Sequence, residues 1–230
     1  MNVGLAVHGG SGAFSVGAAG CDLAAGGSCD VTVTFAPKTA GSYAADLDVT
    51  GPNGTQVVPL SGTVGPGYWL VGSDGGIFSF GDAEFDGSTG AMPLNKPVVG
   101  MAPTPDDGGY WLVASDGGIF AFGDAQFYGS TGAMHLNDPI VGMAPTPGGV
   151  GYWLVASDGG IFAFGDARFD GSTGAVPLND PIVGMAPTPG GGGYWLVASD
   201  GGIFAFGDAQ FYGSMGASRL GAPVVGMANF

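Results

Sequence analysis

From residue 67 onward the chain repeats itself. The string Gly-Tyr-Trp-Leu-Val begins at Gly67, Gly109, Gly151 and Gly193, a constant step of 42 residues. Each copy continues through Ser-Asp-Gly-Gly-Ile-Phe and Phe-Gly-Asp-Ala to Gly-Ser. A Pro-[Val/Ile]-Val-Gly-Met-Ala segment closes it, from Pro97, Pro139, Pro181 and Pro223. A unit this short cannot bury both faces of its own strands, so successive copies must stack on one another.

Within a copy the pattern is all-β. Tyr110–Ala114 is aromatic, apolar and β-branched, and Asp116-Gly117-Gly118 supplies a tight hairpin turn. Ile119–Phe122 returns, with Phe120 and Phe122 on one face and Ile119 and Ala121 on the other. Gly123-Asp124 is a second turn, Phe127-Tyr128 a third short strand, and Val141–Ala144 a fourth. The expected fold is a β-propeller of four 42-residue repeats, 67–108, 109–150, 151–192 and 193–230, with a β-solenoid as the alternative. The first repeat has no Pro-Val-Val-Gly-Met-Ala strand before it, and Pro223, Val224, Val225, Gly226, Met227 and Ala228 provide that strand late in the chain. These six residues are expected either to close a ring of four blades or to complete a neighbouring molecule.

Composition narrows the function. Four Lys and Arg residues against 19 acids give a net charge of −15, which repels phosphate backbones and anionic membrane surfaces. Nucleic-acid binding is not expected. No stretch is long and apolar enough to insert in a membrane, and Met1–Gly10 lacks the basic start and apolar core of a signal peptide. Cys21 and Cys29, with seven residues between them, fit a local disulfide better than two free thiols. His8 and His135 are not at metal-ligand spacing. A disulfide implies an oxidising compartment.

The tract Gly-Tyr-Trp-Leu-Val-Ala-Ser-Asp-Gly-Gly-Ile-Phe-Ala-Phe-Gly-Asp-Ala resembles tandem repeats of actinobacterial secreted and wall-associated proteins, over residues 67–230. That resemblance implies a propeller-like array outside the cell and supplies neither a ligand nor catalytic residues. Residues 1–64 resemble an immunoglobulin-like β-sandwich of the hydin-like or choice-of-anchor kind. The match lies in Gly12–Val16, Leu23–Cys29, Val31–Pro37 and Leu60–Thr63. Val31, Val33 and Phe35 alternate with polar residues, Tyr43–Val49 is a further strand, and Pro52-Asn53-Gly54 is a hairpin turn. Such modules begin with one or two more strands. Met1–Val7 offers one short strand at most, so the sandwich is expected to be incomplete or to be completed by a partner strand.

The candidate site residues divide by how they repeat. Asp pairs such as Asp116 and Asp124, or Asp158 and Asp166, recur in every copy and read as turn-formers, with Ca²⁺ binding the lesser reading and no other cofactor expected. Trp69, Trp111, Trp153 and Trp195 read as packing between blades rather than as sugar platforms. Positions that vary between otherwise equal copies mark the candidate ligand surface: Glu84, Gln126, Arg168 and Gln210, and Asp86, Tyr128, Asp170 and Tyr212. No Gly-x-Ser-x-Gly elbow, Cys/His pair or phosphate loop is present, so no enzymatic activity is expected. The expected role is a secreted or cell-surface binding or adhesion module directed at a glycan or protein. The alternative is a structural subunit of an extracellular filament or sheath, whose partners are copies of itself.

Overall fold

The structure, a computed structural model, describes residues 2–24, 26–37 and 41–229. Ala25 of the Leu23–Cys29 tract and Phe230 of the last repeat lie outside the described residues. The chain divides into two compact units, Met1–Tyr68 with Phe80–Ala83, and Trp69–Ser79 with Glu84–Phe230.

Among its described residues the first unit has the strands β1 Asn2–Gly9, β2 Phe14–Val16, β3 Gly20–Asp22, β4 Val33–Phe35, β5 Gly41–Gly51 and β6 Gly54–Val64. One sheet runs in the order β3-β1-β5-β6 and β2 pairs with β4 in a second. β5 and β6 form the long hairpin expected at Pro52-Asn53-Gly54, with Gly51 opposite Gly54. The two sheets share a small core of Ala13, Phe14 and Ala45, with Val33, Phe35, Tyr43 and Leu60 packed against it. The rings of Phe14 and Phe35 lie 4.8 Å apart. A β-carbon at Gly62 would overlap the Phe35 ring, which is why a glycine stands there. Two expectations are corrected. The opening strand is longer than Met1–Val7 allowed, because β1 pairs with both β3 and β5. Val31 is exposed and precedes β4 instead of belonging to it. Cys21 and Cys29 form a disulfide that closes the loop leaving β3.

The hairpin of β7 Gly67–Val71 and β8 Ile77–Gly81 is divided between the two units, and three like sheets follow it in the second. They comprise β9 Val98–Pro103, β10 Gly109–Ala114 and β11 Ile119–Gly123; β12 Ile140–Pro145, β13 Gly151–Ala156 and β14 Ile161–Gly165; and β15 Ile182–Pro187, β16 Gly193–Ala198 and β17 Ile203–Gly207. Each sheet takes its first strand from the end of one sequence repeat and the other two from the start of the next. Their ladders are all antiparallel. A solenoid would join equivalent strands of successive coils in parallel, and β9, β12 and β15 share no ladder.

The period of two explains the stacking. In β10, Tyr110 and Leu112 face a core with Phe120, Phe122, Trp69 and Val71. Trp111 and Val113 face the opposite way, into a core with Tyr152 and Leu154 of the next sheet. Every residue of β10 is therefore buried, on two faces that belong to different cores. Each large side chain so buried contributes about 1.5–3 kcal/mol.

The third strand expected in each repeat is absent: Phe127-Tyr128 and its equivalents are irregular, while the fourth, Val141–Ala144, lies within β12. Among the described residues, Pro223–Ala228 lies outside any ladder and β7 pairs with β8 alone. No ring is closed by that segment here.

Candidate functional site

The irregular segment that replaces the expected strand makes the same tryptophan hydrogen bond in every copy. Each Trp donates its indole N–H to the backbone carbonyl of a varying residue: Trp69 to Glu84 at 2.6 Å, Trp111 to Gln126 at 2.7 Å, Trp153 to Arg168 at 2.6 Å and Trp195 to Gln210 at 2.7 Å. Two residues later a tyrosine of the next repeat takes hold. The Tyr110 hydroxyl donates to the Gly87 carbonyl at 2.6 Å and accepts from the Asp86 N–H at 3.2 Å. Tyr152 holds Gly129 and Tyr128, and Tyr194 holds Gly171 and Asp170, in the same way. Burial pushes the phenol pKa of all three tyrosines up, which keeps these hydroxyls protonated.

One residue follows each carbonyl held by a tryptophan, and in the first three copies it lies between the two clamps. Phe85, Phe127, Phe169 and Phe211 are each about 60% exposed: 60%, 60%, 61% and 61%. The same side chain stands in every copy and no core receives it. This array was missed in the sequence because invariance between copies reads as packing.

The eight varying residues separate into two groups. Glu84, Gln126, Arg168 and Gln210 are exposed beside the phenylalanines. Asp86, Tyr128 and Asp170 are half-buried against the next repeat, and Tyr212 alone of its set is open, at 82%. The Tyr128 hydroxyl donates to the Gly149 carbonyl at 3.1 Å. A β-carbon at Gly123 would sit 3.0 Å from the Asp86 carboxyl carbon, and one at Gly207 3.1 Å from that of Asp170. Burial, then Glu84 and Asp124, raise the Asp86 pKa. Asp170 Oδ2 is buried without a hydrogen-bond partner. These three positions are therefore joints between repeats, which corrects their reading as exposed ligand residues.

The repeated aspartates are turn-formers in large part. Asp74, Asp116, Asp158 and Asp200 accept the N–H two residues on, at 2.8–2.9 Å. The second aspartate does something else: Asp166 and Asp208 accept from the hydroxyls of Thr146 and Thr188, which stand 20 residues earlier. Among the described residues, no group of three or more His, Cys, Asp or Glu side chains is arranged to hold a metal ion. No helix among them is long and apolar enough to cross a membrane. Three of the tryptophans pack against the next sheet, Trp69 5.5 Å from Tyr110, Trp111 5.8 Å from Tyr152 and Trp153 5.8 Å from Tyr194, whereas Trp195 lies 6.4 Å from Tyr212 of its own repeat.

No family model matches the chain, and no curated protein matches it. Among solved structures it is similar to Sqt1 of Chaetomium thermophilum, with 16% identity and a TM-score of 0.43, covering 79% of this chain and 54% of that one. It is also similar to a structural-genomics protein of unknown function from Bacteroides thetaiotaomicron VPI-5482, with 14% identity and a TM-score of 0.43, covering 91% and 54%. The chain spans about half the length of these two structures.

Proposed function

We propose that the chain is a non-enzymatic extracellular binding module, whose β-propeller repeats present their loops to a glycan or a protein. One observation carries this reading: a phenylalanine stands outward in every repeat, between two backbone clamps at Phe85, Phe127 and Phe169 and beside the tryptophan clamp alone at Phe211, next to a position that holds Glu, Gln or Arg. An exposed aromatic face stacks on sugar rings and on apolar protein side chains. Glu84, Gln126, Arg168 and Gln210 supply an acidic, a basic and two amide neighbours to the four rings. The Cys21–Cys29 disulfide supports an oxidising, extracellular setting. The test is a variant with Phe85, Phe127, Phe169 and Phe211 all replaced by Ser, compared with the parent on a glycan array and against cell-surface extract. Retained folding with lost binding supports the proposal. Unchanged binding by the folded variant overturns it.

A second reading, a structural subunit assembled by strand exchange between chains, is favoured by a different observation. Among the described residues, β7 has a single ladder neighbour and Pro223–Ala228 has none.

A further inference from the structure

We propose that Gly67–Val71 of one copy adds alongside Pro223–Asn229 of another, in the register Trp69 opposite Ala228, Leu70 opposite Met227 and Val71 opposite Gly226, so that copies join head to tail. The inference rests on the strand-exchange reading and fixes its partner, its strand and its register.

The receiving strand is already in position. Val98, Ile140 and Ile182 each begin the first strand of a complete sheet by donating their N–H to Ser73, Ser115 and Ser157, at 2.8–2.9 Å. Val224 does the same to Ser199 at 2.8 Å. A β-carbon at Gly184 would lie 3.6 Å from the Gly226 α-carbon, as one at Gly100 would lie 3.9 Å from that of Gly142. The Asn229 side-chain amide donates to the Pro187 carbonyl at 2.6 Å and pins the far end. Only the ladder partner is missing, and the burial records it. Ala102, Ala144 and Ala186 are 4–5% exposed, whereas Ala228 is exposed and Val225 is 86% exposed.

The strand that fits there is the one that fills the three equivalent places. In the complete sheets Leu112 stands opposite Met101, Leu154 opposite Met143 and Leu196 opposite Met185. β7 has the same Gly-Tyr-Trp-Leu-Val sequence and an open edge. Tyr68 and Leu70 are 60% and 53% exposed, where Tyr110 and Leu112 are fully buried. The last loop is open as well. Gly87, Gly129 and Gly171 face the rings of Phe122, Phe164 and Phe206, while nothing lies within 4 Å of a β-carbon at Gly213. Tyr68 and Phe80 of the arriving copy are the residues that the repeat supplies at that place, with the Tyr68 hydroxyl donating to the Gly213 carbonyl. Pairing of edge strands gives the main-chain hydrogen bonds, and the apolar side chains give the register.

The test uses two single variants of the full chain, Leu70→Cys and Met227→Cys, with light scattering of the unmodified chain across a concentration series. Under mild oxidation, mixing the two variants is expected to give a disulfide-linked heterodimer several-fold more abundant than the homodimer of either alone. The unmodified chain is expected to grow in mass with concentration. Growth in mass without the heterodimer overturns this register and leaves strand exchange standing. A monomer at every concentration overturns both, and a fast-running oxidised monomer from a third variant carrying both Leu70→Cys and Met227→Cys would then identify closure within one chain.

Discussion

The Tyr152 hydroxyl donates to the Gly129 carbonyl at 2.6 Å and accepts the Gly129 N–H at 3.1 Å, so one buried phenol closes both polar groups of a residue in the preceding repeat. Replacing Tyr152 by Phe removes the phenol oxygen and leaves those groups without their partner. A loss of about 1–3 kcal/mol is expected, read from urea unfolding with the slope unchanged.

The same phenol gives an alkaline signature. Its pKa is raised by burial, so the stability that depends on the neutral hydroxyl is fully present below the ordinary tyrosine value. It is lost as pH rises through the folded-state value. Tyr152→Phe is expected to flatten that alkaline fall in melting temperature, although it lowers the temperature at neutral pH.

Asp86 runs on the acidic side. Burial, followed by Glu84 and Asp124, raises its pKa, so its charge opposes folding. Stability linked to this group is greatest below the ordinary carboxylate value and is lost as pH rises through the folded value. Asp86→Asn is expected to melt higher than the parent at pH 7 and level with it in acid, in a series of thermal scans.

Gly117 has a φ of 76°, and a β-carbon there would collide with the Thr131 hydroxyl oxygen, which donates to the Asp116 carbonyl. Gly117→Ala therefore meets backbone strain and a steric clash together. A loss of roughly 1–3 kcal/mol is expected from these causes, measured as a shift in denaturant midpoint.

The Cys21–Cys29 bond spans a sequence separation of eight. The chain-entropy model gives a loop of that length about 2.5 kcal/mol. Replacing both cysteines by Ser is expected to lower the stability of the first unit by up to that amount, read as reduced protease resistance of residues 1–64.

The strands of the repeat were legible because their patterns are local. Tyr110–Ala114 and Ile119–Phe122 announce themselves by aromatic and β-branched runs around Asp116-Gly117-Gly118, and they became β10 and β11. Phe127-Tyr128 carries the same residue types yet forms no strand. Its hydrogen bonds go to a tryptophan 15 residues earlier, at the adjoining Gln126, and to a tyrosine 24 residues later, at Tyr128. Alternation along a chain contains no trace of such partners. Variation between copies likewise found Glu84 and Arg168 at the surface, but it grouped them with Asp86 and Asp170, which vary at a packed joint. The phase of the sheets was hidden for a similar reason: the 42-residue period defines the length of a unit and leaves open where the unit begins.

The tryptophan grips residues 84, 126, 168 and 210 by their carbonyl oxygens alone. A main-chain carbonyl is common to every amino acid, so the scaffold is indifferent to which side chain stands there. An acid in one copy and a base in another, Glu84 and Arg168, already occupy the same seat. After duplication, each copy is at liberty to change the side chain at that seat while the framework stays fixed, and four positions can diverge independently on one inherited mount.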